Sequence, residues 1–168
     1  MRLLFVCLAF TACTNGPTGP DDGDDAPADG PPGNTSVVPR IGAWGYDDVT
    51  PVSSTCPSSV MQGGVGAFGI DTASSTSFHV VPNDGTASFA CSLSGAAFDC
   101  PERATAMQDL RPALDAVYTA RATARGTLAS STRGSGRQEA TVTCAGTQCN
   151  VLGTFPCTIK VDFVIQTH

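Results

Sequence analysis

From Thr158 to Gln166 the chain alternates without a break. Ile159, Val161, Phe163 and Ile165 fall on one side, and Lys160, Asp162 and Val164 on the other. A period of two is the mark of a β-strand with one buried face, because successive side chains leave a strand on opposite sides. The same period returns upstream. Ala87 to Leu93 puts Phe89, Cys91 and Leu93 on one face, and Glu139 to Cys144 does so with Ala140, Val142 and Cys144. Shorter strand signals lie at Ile41 to Tyr46, Gly64 to Ile70, Ser77 to Val81 and Phe98 to Cys100.

Two periods compete between Met107 and Arg125. Met107, Leu110, Leu114, Val117, Tyr118 and Arg121 fit a helical repeat. Ala116, Tyr118, Ala120, Ala122, Ala124 and Leu128 instead line one face of a strand, with Val117, Thr119, Arg121, Thr123 and Arg125 on the other. Strict alternation over such a length is rarer by chance than a few helical matches, and Pro112 blocks a continuous helix. The spacing therefore predicts a strand from Ala116 to Leu128, a turn at Gly134-Ser135-Gly136, and a returning strand. The fold class expected is all-β: a small antiparallel barrel or sandwich of about seven or eight strands.

The cysteines tighten this. Six of the eight, Cys56, Cys91, Cys100, Cys144, Cys149 and Cys157, fall within residues 41–168. An even number in an exported domain reads as a disulfide framework. One pairing follows from turn geometry. Gly95-Ala96 suits a two-residue hairpin loop with Gly at its first position. Ser94 then pairs with Ala97, Leu93 with Phe98, Ser92 with Asp99, and Cys91 with Cys100. That last site is a non-hydrogen-bonded one, where Cα atoms lie ~4.5 Å apart, so Cys91–Cys100 is expected to bridge. The connectivity of Cys56, Cys144, Cys149 and Cys157 stays open. A zinc site needs ligand pairs two to four residues apart and usually histidines. The chain has no C-x-x-C and two histidines, so no metal is expected.

The other two cysteines belong to the N-terminus. Behind Met1-Arg2, the run Leu3 to Ala12 is apolar except for Thr11. It is too short for a membrane span, which needs about 20 residues, and reads as a signal-peptide core. Phe10-Thr11-Ala12-Cys13 resembles the lipobox of bacterial lipoproteins, with Phe10 in place of the commoner Leu. The resemblance implies that the Cys13 thiol receives a diacylglycerol, that the chain is cut before Cys13, and that the new amine is acylated. Thr14 follows where an Asp often marks inner-membrane retention, so the resemblance implies a cell-envelope location at the outer membrane.

Residues 14–40 change composition to Gly, Pro and Asp. Such a segment buries too little apolar surface to offset its ordering entropy, and a disordered tether is expected. Its cluster Asp21, Asp22, Asp24, Asp25 and Asp29 lacks the Gly and Glu placements of a calcium loop. The organisation expected is signal peptide 1–12, lipidated Cys13 plus linker 13–40, and β domain 41–168. With ten acids and seven bases and no basic cluster, that domain is not a nucleic-acid binder.

No catalytic residue or cofactor is expected. His79 and His168 are the only histidines, and no G-x-S-x-G is present. Asp47 and Asp48 are adjacent on an extended chain and are expected on opposite faces. The G-x-G pairs Gly64/Gly66 and Gly134/Gly136 lack the strand–loop–helix setting of a nucleotide site.

Gly42-Ala43-Trp44 resembles the G-x-W motif of lipocalins, small antiparallel barrels that carry apolar ligands. The match covers three residues, and the family's second motif is absent. It implies that Trp44 plugs the closed barrel end under a basic residue of the last strand, Lys160 here. Two functions are thus open. One is a non-catalytic envelope or surface module that binds a protein or glycan or serves structurally, its partner and oligomeric state unspecified. The other is a lipocalin-like barrel that binds a small apolar ligand. An interior filled by Phe89, Leu93, Phe98, Val142 and Phe163 favours the first. An apolar cavity of several hundred Å³ favours the second.

Overall fold

The structure, a computed structural model, describes residues 36–58, 60, 66–105 and 107–168. Cys13, the signal segment and the acidic cluster lie outside the described residues. The strands are β1 (Gly42–Ser54), β2 (Ala67–Ala73), β3 (Ser77–Pro82), β4 (Phe89–Ser94), β5 (Ala97–Ala104), β6 (Gln108–Asp109), β7 (Val117–Ser130), β8 (Arg133–Ala145) and β9 (Cys157–Thr167), with a one-turn helix α1 (Cys149–Leu152) before β9.

Every pairing is antiparallel. β1 to β5 and then β7 to β9 follow one another around a single sheet, which closes where β9 returns to β1. These eight strands form a barrel, so of barrel and sandwich it is the barrel. β6 continues the β5 side of β7 with two pairs, Gln108↔Tyr118 and Asp109↔Val117.

The alternating segments fold as their period demands. In β9, Ile159, Val161, Phe163 and Ile165 are buried, and Lys160, Asp162 and Val164 are only partly covered. Residues 117–130 are a strand, with Tyr118, Ala122 and Leu128 buried on its inner face. The hairpin at Gly95-Ala96 has the expected register, Ser94↔Ala97, Leu93↔Phe98 and Ser92↔Asp99, and Gly95 takes φ +61° as its turn position requires.

The turn expected at Gly134-Ser135-Gly136 is not there. The chain reverses at Ser131-Thr132, and the two glycines lie inside β8. Space rather than flexibility explains them. A Cβ on Gly136 would come within 2.8 Å of the Phe163 ring, and one on Gly134 within 3.1 Å of Leu128.

Asp47 and Asp48 also depart from the expected alternation. A bulge between the Tyr46↔Ile165 and Asp48↔Val164 pairs leaves both exposed. Asp47 accepts from Arg133 at 3.1 Å and from Gln166 at 3.0 Å.

One end of the barrel, the base, carries the β2–β3, β4–β5 and β7–β8 turns. Residues 36–40 cross it and bond to each: Ser36 Oγ to the Ser75 carbonyl at 3.1 Å, Val37 N–H to Gly95 at 3.1 Å, and Arg40 N–H to Ser131 at 2.7 Å. Within this strap Pro39 is buried. The last residues of the linker therefore belong to the folded body.

The opposite end, the mouth, is tied by two disulfides. Cys56–Cys157 joins the chain just past β1 to the start of β9, across the seam that closes the barrel, with a sequence separation of 101. Cys144–Cys149 fastens α1 to the end of β8. Cys91–Cys100 bridges β4 and β5 as the hairpin register requires, with Cα atoms 4.2 Å apart.

Candidate functional site

An eight-stranded barrel has an interior just wide enough either to fill with side chains or to hold one small ligand. Which outcome occurs depends on side-chain size. The inner face of β7 and β8 carries a run of small residues, Ala120, Ala122, Ala124 and Gly126 on β7 and Gly134, Gly136 and Ala140 on β8, between the larger Tyr118 and Leu128 at its ends. Toward the base, aromatic rings occupy the room these leave. Phe98 and Phe163 stack at 6.5 Å, Phe78 meets Phe98 edge-on at 5.9 Å, and Tyr46 meets Phe163 edge-on at 5.7 Å. Phe68 continues the set to Trp44 at 6.3 Å.

Above these rings, the alanines face open space among the described residues. A cavity of about 400 Å³ opens between them and Phe78, Val80, Phe89, Val161 and Ile159. Leu93, Phe98, Val142 and Phe163 are buried and Phe89 is partly so, yet they do not close the interior. The volume lies within the ~300–1,000 Å³ usual for small-molecule sites.

Polar side chains also line this apolar space, among them Gln138, Tyr46 and Arg103. Gln138 sits on the inner face of β8, opposite Ala124 and Val161, and its buried Oε1 has no hydrogen-bond partner among the described residues. Tyr46 lines the cavity, and burial raises its phenol pKa above the ordinary value, opposed by Arg103 and reinforced by Asp84. Arg103 stands near the mouth with its guanidinium 4.6 Å from the centre of the Phe89 ring and donates to Thr86 Oγ1 at 3.2 Å. Thr86 in turn donates to Asp84 Oδ1. Partial burial works against ionised Asp84, but the Thr86 bonds and Arg103 outweigh it and hold its pKa low.

The residues singled out from sequence are dispersed. Trp44 is fully buried at the base, and its Nε1 donates to the Arg40 carbonyl at 2.8 Å, so the indole and the strap close that end together. Lys160 does not cover it. Trp44 pairs with Thr167, whereas Lys160 pairs with Ser53, seven residues along β9 or about 23 Å at the rise of a strand. Lys160 instead pairs with Glu139 on the outside at 3.2 Å.

His79 bonds Asp71 at 2.8 Å on the exterior of β2 and β3, away from the cavity. Cys100 lines the cavity wall, Cys157 lies in the cluster around Tyr118, Cys56 and Cys144 pack against that cluster, and Cys149 is bridged to Cys144.

Arg103, Gln138 and Tyr46 were not singled out from sequence. Pro101 was the available signal for the first, since proline inside a sheet marks an edge or a bulge. Gln138 was legible as a polar residue in phase with Ala140 and Val142 once β8 was extended back to Arg133. No protein-family model, curated protein or solved structure matches this chain.

Proposed function

We propose that the barrel binds one small, mainly apolar molecule in its interior, and that acylated Cys13 holds it at the outer membrane of the cell envelope. The observation that carries the binding reading is the 400 Å³ cavity, walled by alanines on one side and aromatic and aliphatic side chains on the other. A barrel serving only as a structural module gains nothing from such a void, because each lost contact in a core costs stability. Few, separated polar groups in an apolar chamber fix a ligand's orientation. The G-x-W resemblance at Gly42-Ala43-Trp44 points the same way. What supports the anchor is the sequence Phe10-Thr11-Ala12-Cys13.

Native mass spectrometry of the protein purified gently from its own envelope tests the binding reading. A co-purifying apolar molecule is the expected result. Its absence, together with failure of the protein to take up added apolar compounds, overturns the reading. For the anchor, Cys13→Ser abolishes fatty-acid labelling and membrane retention; labelling that persists in that variant removes Cys13 from its role.

A further inference from the structure

Strand β5 breaks its own alternation at the point where it borders the cavity. Phe98 and Cys100 face inward, and regular pleating would next bring Glu102 inside. The pairing shifts between Cys100↔Ala124 and Arg103↔Ala122, so three residues of β5 span two of β7. A bulge of this kind re-aims the side chains that follow it. Pro101 and Glu102 are both exposed, and Arg103 shares the inner face with Ala122. Glu102 pairs outside with Arg121. The bulge thus exchanges a carboxylate for a guanidinium on the cavity wall.

Arg103 is also held in place before any ligand arrives. Phe89 lies under its guanidinium, and Thr86 takes one N–H and is itself fixed by Asp84. No carboxylate among the described residues forms a direct ion pair with it, since Asp84 is reached through the Thr86 hydroxyl. An arginine has five N–H donors in a fixed fork, so most remain for another acceptor. Thr86, Asp84 and Tyr46 face it, and among the described residues lining the cavity Asp84 is the one other group that carries a charge at neutral pH.

We infer that the ligand is an amphipathic anion, its apolar body in the cavity and its acidic head, a carboxylate or similar group, on Arg103 at the mouth. This rests on the cavity-binding reading above. The full chain carrying Cys13→Ser, free of detergent, is titrated near pH 7 with decanoate, decanol and decylamine and followed by calorimetry. Decanoate binds at least about tenfold tighter than decanol, the scale of a charge-assisted hydrogen bond, and decylamine binds weakest. Arg103→Met abolishes that preference, while Glu102→Gln, on the outside, preserves it.

If decanol binds as tightly as decanoate, the anion assignment is wrong and the cavity reading stands. If decylamine binds tightest, Asp84 sets the selectivity and the assignment is again wrong. If none of the three binds, the anion assignment is overturned, and the co-purified ligand sought by native mass spectrometry decides the cavity reading separately. Should Arg103→Met fail to fold, the three-probe comparison on the chain with Arg103 intact decides alone.

Discussion

Gly126 and Gly136 face each other across β7 and β8, and a Cβ on Gly126 would lie 2.8 Å from the Gly136 Cα. The pair is a recess in the wall, and the stacked rings of Phe98 and Phe163 fill it. Gly136→Ala therefore forces Phe163 or the β7 backbone to move. A loss of about 1–3 kcal/mol in chemical denaturation is expected, as for other overpacked cores. An unchanged midpoint would mean that the recess is not needed for packing.

The base closure depends on Trp44. Trp44→Phe keeps an aromatic ring there but leaves the Arg40 carbonyl without its 2.8 Å donor. A loss of about 1–2 kcal/mol is expected, with faster hydrogen exchange at the Val37 and Arg40 amides. Lys160→Ala serves as the comparison. Its partner Glu139 and its own side chain are about half exposed, so the change stays within about 1 kcal/mol. An equal loss in both variants would contradict the placement of Lys160 away from the plug.

The disulfides differ in the loops they close. Cys56–Cys157 spans 101 residues and Cys144–Cys149 spans five. On the chain-entropy account, the first stabilises by about 4–5 kcal/mol and the second by about 2 kcal/mol. Paired Cys→Ser variants at each bridge, compared by urea unfolding, should preserve that order. Equal losses would show that strain or local packing governs instead.

Acid should weaken this barrel in part through its paired aspartates. Hydrogen bonds from Arg111 hold Asp109 down to about 2, and Arg137 lowers Asp162 in the same way. A carboxyl group depressed in the folded state contributes stability above its unfolded pKa of ~3.9. That contribution is lost as pH falls through the folded value. The urea midpoint should stay level down to pH ~4 and decline between there and pH ~2. Asp109→Asn should flatten part of that decline; an unaltered slope would deny Asp109 a share in it.

Gln138 carries an acceptor that no group among the described residues uses. Gln138→Leu removes a buried, unpartnered oxygen and is expected to leave the empty barrel as stable or about 1 kcal/mol more so. The same change should weaken binding of ligands bearing a hydroxyl or N–H, and spare purely apolar ones. A clear loss of stability in the empty protein would mean that Oε1 has a partner, such as a bound water.

Much of the fold was legible because a period of two carries strand and face together. Ile159 to Ile165 and Ala116 to Leu128 each sorted their inner residues correctly. The Gly95-Ala96 turn carried its register, and with it the Cys91–Cys100 bridge. Local rules failed where a residue's role was set by a distant neighbour. Gly134 and Gly136 looked like a turn because a glycine signals backbone freedom when seen alone, and the side chains they accommodate, Leu128 on β7 and Ile165 and Phe163 on β9, come from other strands.

By itself, then, the sequence determined an antiparallel β domain with a disulfide framework, since alternation, turn chemistry and cysteine parity are all local or countable. The tertiary structure decided barrel over sandwich, the pairings of the remaining cysteines, and the cavity. Closure depends on β9 meeting β1 across the whole chain. The cavity depends on which small residues of one wall face which large ones of another. The side chains entering it depend on a bulge that reverses alternation, and no period of two can report its own interruption.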